Sequence, residues 1–371
     1  MGIVRVVVSR LRYVRNVCFN RSTPKQQTTT APATETKSAD IKSDTATADT
    51  MAVSDGTQQQ EQQQKINTLL SCCLHDEKMD DRVYIPRYRH RLTIANAWSL
   101  KPGSRVLDIG CGQGESCLTL AMELGPEAHI TGVDTADLEY GTPFNMRMSH
   151  EHVLASPLGK QITFHNVDAA TLLQSLEART DKPPFDAAVL CHSLWYFADQ
   201  ESVIELFKTL SRAGIPRVYV AEYAFSASLP SQEPHVLAAR AAALLHAYQQ
   251  QKARDDGSLD PEGGKLASNI RAAPDTKSIV AAAAAAGYAV GRQGTTIPGE
   301  DFLEGHFETR HVRGDRFAAR VRDEKLSPEK EAEILAFQPQ VVKKMDELAA
   351  QGIDKVRSMD VWFAELELPA Q

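Results

Sequence analysis

The stretch Arg105-Val106-Leu107-Asp108-Ile109-Gly110-Cys111-Gly112-Gln113-Gly114-Glu115 constrains this chain more than any other. A short apolar run breaks into three alternating glycines and then resumes as a helix. Val106, Leu107 and Ile109 favour a strand and follow the turn pair Pro102-Gly103, so a buried strand is expected to end at the glycines. Ser116 to Leu124 carries apolar residues at helical spacing and stops at Gly125-Pro126. A strand that turns through glycines into a helix leaves N–H groups unpaired at the helix start, where a bound anionic group accepts from them. Glycine also lets the backbone approach a ligand with no Cβ in the way. A second strand is expected from Ala128 to Val133, closed by Asp134. An acid there is placed to accept from ribose hydroxyls.

The glycine spacing separates two kinds of nucleotide-like ligand. A dinucleotide fingerprint wants glycine at the first, third and sixth positions; here Gly110, Gly112 and Gly114 alternate, and Glu115 holds the sixth place. The pattern, with Asp108 two residues ahead, resembles the S-adenosylmethionine motif of class I methyltransferases. That resemblance implies a glycine loop, Gly110-Cys111-Gly112-Gln113-Gly114, along the methionine part of the cofactor. It also implies that Asp108 supports the amino-acid end and that Asp134 holds the ribose. A glycine turn in some other doubly wound protein is the competing reading.

Composition narrows the rest. The chain has 371 residues, 42% hydrophobic and 24% charged, enough for a core and one large domain. Residues 1–50 carry a charge of +4, which leaves −11 of the net −7 on the remainder. An acidic body argues against sequence-independent nucleic-acid binding. Cys18, Cys72, Cys73, Cys111, Cys117 and Cys191 show no paired metal spacing and read as free thiols in a reducing compartment, so a cytoplasmic location is expected. No apolar run has the length of a membrane span. Arg5, Arg10, Arg12, Arg15 and Arg21 precede the first acid, Glu35, which leaves mitochondrial import as the alternative location. Residues 22–64 lack large apolar side chains and are expected to be a disordered linker, with structure beginning near Lys65.

Further on, Tyr84, Tyr88 and His90 lie just ahead of the first strand. In class I methyltransferases, helices at this point commonly cover the active site, so these three become candidates for lining a substrate cavity. Packing of the helix onto the sheet is the other reading, and the neighbouring arginines read as a solvated face. A helix is expected over Leu138–Leu154, with His150 and His152 on different faces. The third strand ends at Asp168-Ala169, a place where the family often contacts adenine; Asp168 reads equally well as a helix cap. The fourth strand opens into Cys191-His192-Ser193-Leu194-Trp195-Tyr196, beyond the carboxyl end of the sheet where ligands sit. His192 is the candidate catalytic base there, since imidazole titrates near neutral pH. Trp195, Tyr196 and, at the end of the fifth strand, Glu222 are candidates for touching substrate.

Two helical insertions are expected at about 224–275 and 298–355, the first holding the helix Pro234–Gln251 and the loop Asp255–Gly264, the second a charged helix Glu329–Leu348. Glu304, His306, Glu308 and His311 fall close together but lack the spacing of a zinc site, so no metal is expected. The final strand, Ser358–Leu368, is expected antiparallel beside the fifth, as in the family. The reading is therefore an α/β, Rossmann-like, doubly wound seven-stranded sheet over residues 65–371, with helical lid insertions and a disordered N-terminal tail. The function expected from the resemblance is S-adenosylmethionine-dependent methylation of an O, N, S or C atom of a small molecule. The insertions resemble those of fungal-type enzymes of secondary metabolism. A protein methyltransferase and a non-methylating S-adenosylmethionine-binding protein are the alternatives. The sequence leaves the oligomeric state open.

Overall fold

β1 (Arg105–Ile109) is buried from its second residue onward because it lies in the middle of the sheet. Its side chains alternate: Val106 enters one hydrophobic core, and Leu107 and Ile109 enter the other. Around it, a computed structural model describes residues 45–177, 184–258 and 270–369. Seven strands run in the order β3 (Ile162–His165), β2 (His129–Val133), β1, β4 (Ala187–Cys191), β5 (Arg217–Tyr223), β7 (Val361–Glu367), β6 (Ala289–Thr296). β3 through β5 are parallel, and β7 inserts antiparallel between β5 and β6.

Helices cover both faces. In one core, α1 (Thr45–Cys72) contributes Ile66 and Leu69, α2 (Ile85–Ala97) contributes Leu92 and Ile94, and α3 (Glu115–Leu124) contributes Leu118 and Leu120. In the other, α5 (Ala169–Glu177), α6 (Gln200–Arg212) and α8 (Thr276–Ala285) contribute Leu173, Phe207 and Ile279. α4 (Met146–Ala155) follows β2. The insertions build a third core of their own. α7 (Glu233–Asp255) packs Ala238, Ala241 and Leu245 against Val312, Phe317, Ile334 and Val341. These come from α9 (Glu304–Arg313), α10 (Asp315–Asp323), α11 (Pro328–Leu335) and α12 (Phe337–Ala349).

Contacts divide the chain into Met1–Lys65 and Ile66–Gln371. The expected linker is helical from Thr45, twenty residues ahead of Lys65. A lack of large apolar residues denies a segment its core, but helical hydrogen bonds are local and Gln, Glu and Lys support them. The expected tail over residues 1–44, with its arginine-rich start, lies outside the described residues, as does the loop from residue 259 to Gly264. The helix expected over Leu138–Leu154 starts only at Met146, because Gly141 and Pro143 keep the preceding stretch out of it and Asn145 accepts from the Met148 amide as cap. The helix expected over Glu329–Leu348 is two. Pro339 has no N–H to donate and its ring crowds the carbonyl of Leu335, so the chain breaks at Ala336 between α11 and α12. No helix among the described residues is long and apolar enough to cross a membrane.

The insertion core makes a direct test. Phe317 is fully buried there, so Phe317→Ala should cost about 3–5 kcal/mol and lower the urea midpoint. A change below about 1 kcal/mol would mean that this cluster does not hold the insertions together. A second test comes from the histidines. Burial holds His90, His150, His246, His306 and His311 below the ordinary imidazole value. The unfolded chain therefore binds more protons than the folded one once the pH falls below about 6.5. Stability is retained above that value and lost below it, by up to about 1.4 kcal/mol per pH unit for each ring that stays neutral only when folded. Thermal unfolding midpoints should fall between about pH 7.5 and pH 5.5; a flat profile would show that these rings protonate in place.

Candidate active site

The glycine loop leaves β1 in left-handed conformations: φ is 73° at Gly110, 53° at Gly112 and 95° at Gly114. The three do different work. A Cβ on Gly110 would lie 2.6 Å from Ser193 Cβ, and one on Gly114 would lie 2.8 Å from the Phe164 ring. A Cβ on Gly112 would meet nothing within 4 Å. The outer glycines are thus required by packing, and the middle one faces open space.

Asp134 stands beside that space. Its carboxylate accepts from the Gly112 amide at 2.9 Å and from the Ala136 amide at 2.8 Å, which fixes it against the loop. Asp108 is buried beneath; one oxygen accepts from Ser116 Oγ at 2.5 Å and from the Cys117 thiol at 3.0 Å. Its other oxygen has no partner among the described residues. Burial raises the Asp108 pKa, against the pull of the two side-chain donors. Cys111 is buried, and Gln113 Nε2 donates to the Phe144 carbonyl at 2.7 Å, tying the loop to the segment before α4. Asp168 takes the capping role: it accepts from the Thr171 amide at 2.7 Å, and Ala169 is the buried first residue of α5.

Across the loop, the other candidates do not share one surface. Tyr84 is half-buried and sets its ring edge-on to His75 at 5.5 Å. Tyr88 is 1% exposed and belongs to the core, so it packs α2 rather than lining an open cavity. Tyr196, 58% exposed, is at the rim, while Trp195 is buried and stacks on Phe225 at 4.9 Å. Glu222 is buried too. Its carboxylate accepts from the amides of Leu194 at 3.0 Å, Trp195 at 3.4 Å and Tyr223 at 3.0 Å, so it braces the loop after β4 instead of reaching toward a ligand. His90 and His192 do come together, Nε2 to Nε2 at 2.9 Å, although they lie 102 residues apart. His90 also stacks on Phe302 of the second insertion at 4.5 Å.

The arginines of α2 are not a solvated face. Arg91 pairs with Glu115 at 2.7 Å, and Arg87 reaches Glu115 at 3.4 Å and Glu304 at 2.6 Å. Arg89 pairs with Asp301. Burial alone would raise the Glu115 pKa; Arg91 and Arg87 outweigh it and hold the carboxyl below its ordinary value. Glu115, which occupies the sixth position of the motif, is therefore the point where the loop is clamped to α2. Nothing local in the sequence marks these partners, which come from segments far apart.

His150 was also hidden by its surroundings. It stacks flat on Phe164 at 3.9 Å and donates from Nε2 to the Gly112 carbonyl at 2.8 Å, orienting the middle glycine. The expected acidic and histidine cluster in α9 is dispersed. Glu304 serves Arg87, Glu308 accepts from His235 at 2.8 Å, and His306 accepts from the Val356 amide at 3.3 Å. Among the described residues no three His, Cys, Asp or Glu are grouped to hold a metal ion.

The arrangement offers amides and two carboxylates around a gap opened by Gly112, which suits a ligand carrying an ammonium group and ribose hydroxyls. Residues 100–254 match the model of a methyltransferase domain. Methyltransferase phomM and methyltransferase phomM′ of Diaporthe leptostromiformis are each 45% identical over 344 residues, covering 81% of this chain and 89% of theirs. Among solved structures, a cyclopropane-fatty-acyl-phospholipid synthase-like protein from Lactobacillus casei shares 25% identity with a TM-score of 0.64, covering 82% of this chain and 99% of that one. With relatives that similar over most of their length, this chain belongs to the class I S-adenosylmethionine-dependent methyltransferases.

Proposed function

We propose that this enzyme methylates an O, N, S or C atom of a small molecule, in a secondary-metabolite pathway and in the cytoplasm. The gap at Gly112 carries the reading: it is the one glycine of the loop whose Cβ would enter open space, and it lies between Asp134 and the Asp108 network. In this reading Gly110, Cys111, Gly112, Gln113 and Gly114 run along the methionine part of the cofactor. Asp134 accepts from the ribose hydroxyls, and Asp108 supports the amino-acid end through its unpaired oxygen. Asp168 and Ala169 border the adenine. Bound there, the cofactor supplies a sulfonium methyl, an electrophile open to in-line displacement.

The protein's contribution is to orient and enclose. α2 and the start of the second insertion meet over the loop through Arg87, Arg89, Glu304 and Asp301, which favours an enclosed small acceptor over an extended protein chain. Tyr196, exposed at the rim, borders the acceptor side, and His192 takes the proton that the acceptor loses. The five described cysteines are free thiols, in keeping with a reducing compartment.

Calorimetry tests the cofactor site. S-adenosylmethionine should bind with a dissociation constant on the order of micromolar, about −8 kcal/mol, and NAD should not bind. Asp134→Ala should weaken binding about tenfold or more. Gly112→Ala should keep the fold, at a cost of about 1–2 kcal/mol for a left-handed alanine, and lose the cofactor. Full affinity in Gly112→Ala would remove the gap from the site, and tight cofactor binding with no methylation of any acceptor would favour a non-methylating role.

A further inference from the structure

Two buried polar atoms of opposite character stand without partners beside the glycine loop. One is Asp108 Oδ1: the residue is 1% exposed and uses only Oδ2, on Ser116 and Cys117. The other is Nε of Arg91 on α2, a side chain whose Nη2 meets Glu115 at 2.7 Å. Neither atom bonds to the other or to any further group among the described residues. They belong to neighbouring side chains all the same. Burial raises the Asp108 carboxyl, and Arg91 is close enough to offset part of that rise. Both also act on Cys191 at the end of β4: burial pushes its thiol up to about 12, Arg91 pulls it down and Asp108 adds to the rise.

A guanidinium keeps its charge in a protein and only donates. Burial works against the charge on Arg91, and Glu115 outweighs it. A charged N–H and a carboxyl oxygen that are buried and unpaired each lose the water they had when unfolded, so a place that holds both suits a ligand that satisfies both. The other charged groups around the loop are engaged. Arg87 is held by Glu304 and Glu115, and Asp134 by the amides of Gly112 and Ala136. An α-amino acid group matches the two vacant partners, since it carries an ammonium and a carboxylate on one carbon. An ammonium arriving at Oδ1 also favours the ionised carboxylate.

We propose that Arg91 and Asp108 clamp the zwitterionic amino-acid end of the cofactor, Arg91 donating from Nε to its carboxylate while Asp108 Oδ1 accepts from its ammonium; this rests on the placement of the cofactor along the glycine loop given above. Glu115 positions the guanidinium by holding it at Nη2. Arg91 lies on α2, which reaches the second insertion through Arg87 and Glu304, so the same contact fastens the cover of the site to the cofactor.

Calorimetry on the full chain tests the clamp with S-adenosylhomocysteine, with its decarboxylated counterpart, which keeps the amine, and with methylthioadenosine, which lacks both groups. The unsubstituted protein should bind the first about tenfold or more tighter than the second. Arg91→Lys keeps a cation for Glu115 but offers one head to two carboxylates. It should weaken S-adenosylhomocysteine about tenfold and leave the decarboxylated ligand unchanged, and Arg91→Gln takes its place if it better keeps the parent unfolding temperature. Asp108→Asn should weaken both amine-bearing ligands and leave methylthioadenosine as it was. Equal weakening of all three ligands by the Arg91 variant would make Arg91 a brace for the loop and overturn the clamp. Equal affinity of the unsubstituted protein for the first two ligands would overturn it without any variant. If the unsubstituted protein binds no S-adenosylhomocysteine, the placement of the cofactor falls; binding without the preference removes only the clamp.

Discussion

Leaving a fully buried strand in a left-handed turn is the constraint from which the site follows. Gly110 and Cys111 both donate to the Val133 carbonyl at the end of β2, at 2.8 and 3.2 Å. Ser193 closes against Gly110 from the turn after β4, and Phe164 closes against Gly114 from β3. The loop is thereby pinned by β2, by β3 and by the turn after β4, and it cannot shift without unpacking them. Only Gly112 is left facing outward, and its amide and carbonyl are held by Asp134 and His150. A flexible residue type here produces a rigid feature.

Charge joins this rigid loop to its cover. Glu115 begins α3, where a carboxylate is favoured by the helix dipole, and it is also the partner of Arg91 and Arg87. Arg87 continues to Glu304 in the second insertion. A partly buried carboxylate between two guanidiniums is tolerated because each charge meets an opposite one; removal of either arginine would leave a buried charge to be neutralised at greater cost than the pair returns. Apolar contacts hold the insertions to each other, and they meet α2 through ion pairs and the His90–Phe302 stack as well as through the core that Phe302 and Val236 share with Tyr88 and Leu92.

Strands and the motif were legible in the sequence because their signals are local. Val106, Leu107 and Ile109 alternate within five residues, and three glycines mark the turn directly. The antiparallel last strand came from resemblance, not from its residues. What the sequence concealed depends on distance. Arg87 and Arg91 sit among other bases and look solvated until Glu115 and Glu304 are brought to them. His150 reads from the sequence as structural or surface, because nothing in its own helix signals Phe164 or Gly112; the contacts with both make it structural. Glu222 looked available because three amides that claim it come from a neighbouring turn and from the following residue. Helix ends differ for a simpler reason: Gly141, Pro143 and Pro339 break patterns that the apolar spacing around them continues.

β7 carries a consequence for how the molecule is made. Among the described strands β6 pairs only with β7, and β7 pairs on its other edge with β5. During synthesis, β6 emerges with no strand to join, and four helices are added before its partner appears. The parallel five-strand half can assemble early from neighbouring βα units, but β6 must wait for β7, so the last stage of folding pairs residues such as Val290 and Leu366 across a long loop. Until then the facing edges of β5 and β6 are unpaired and open to other chains.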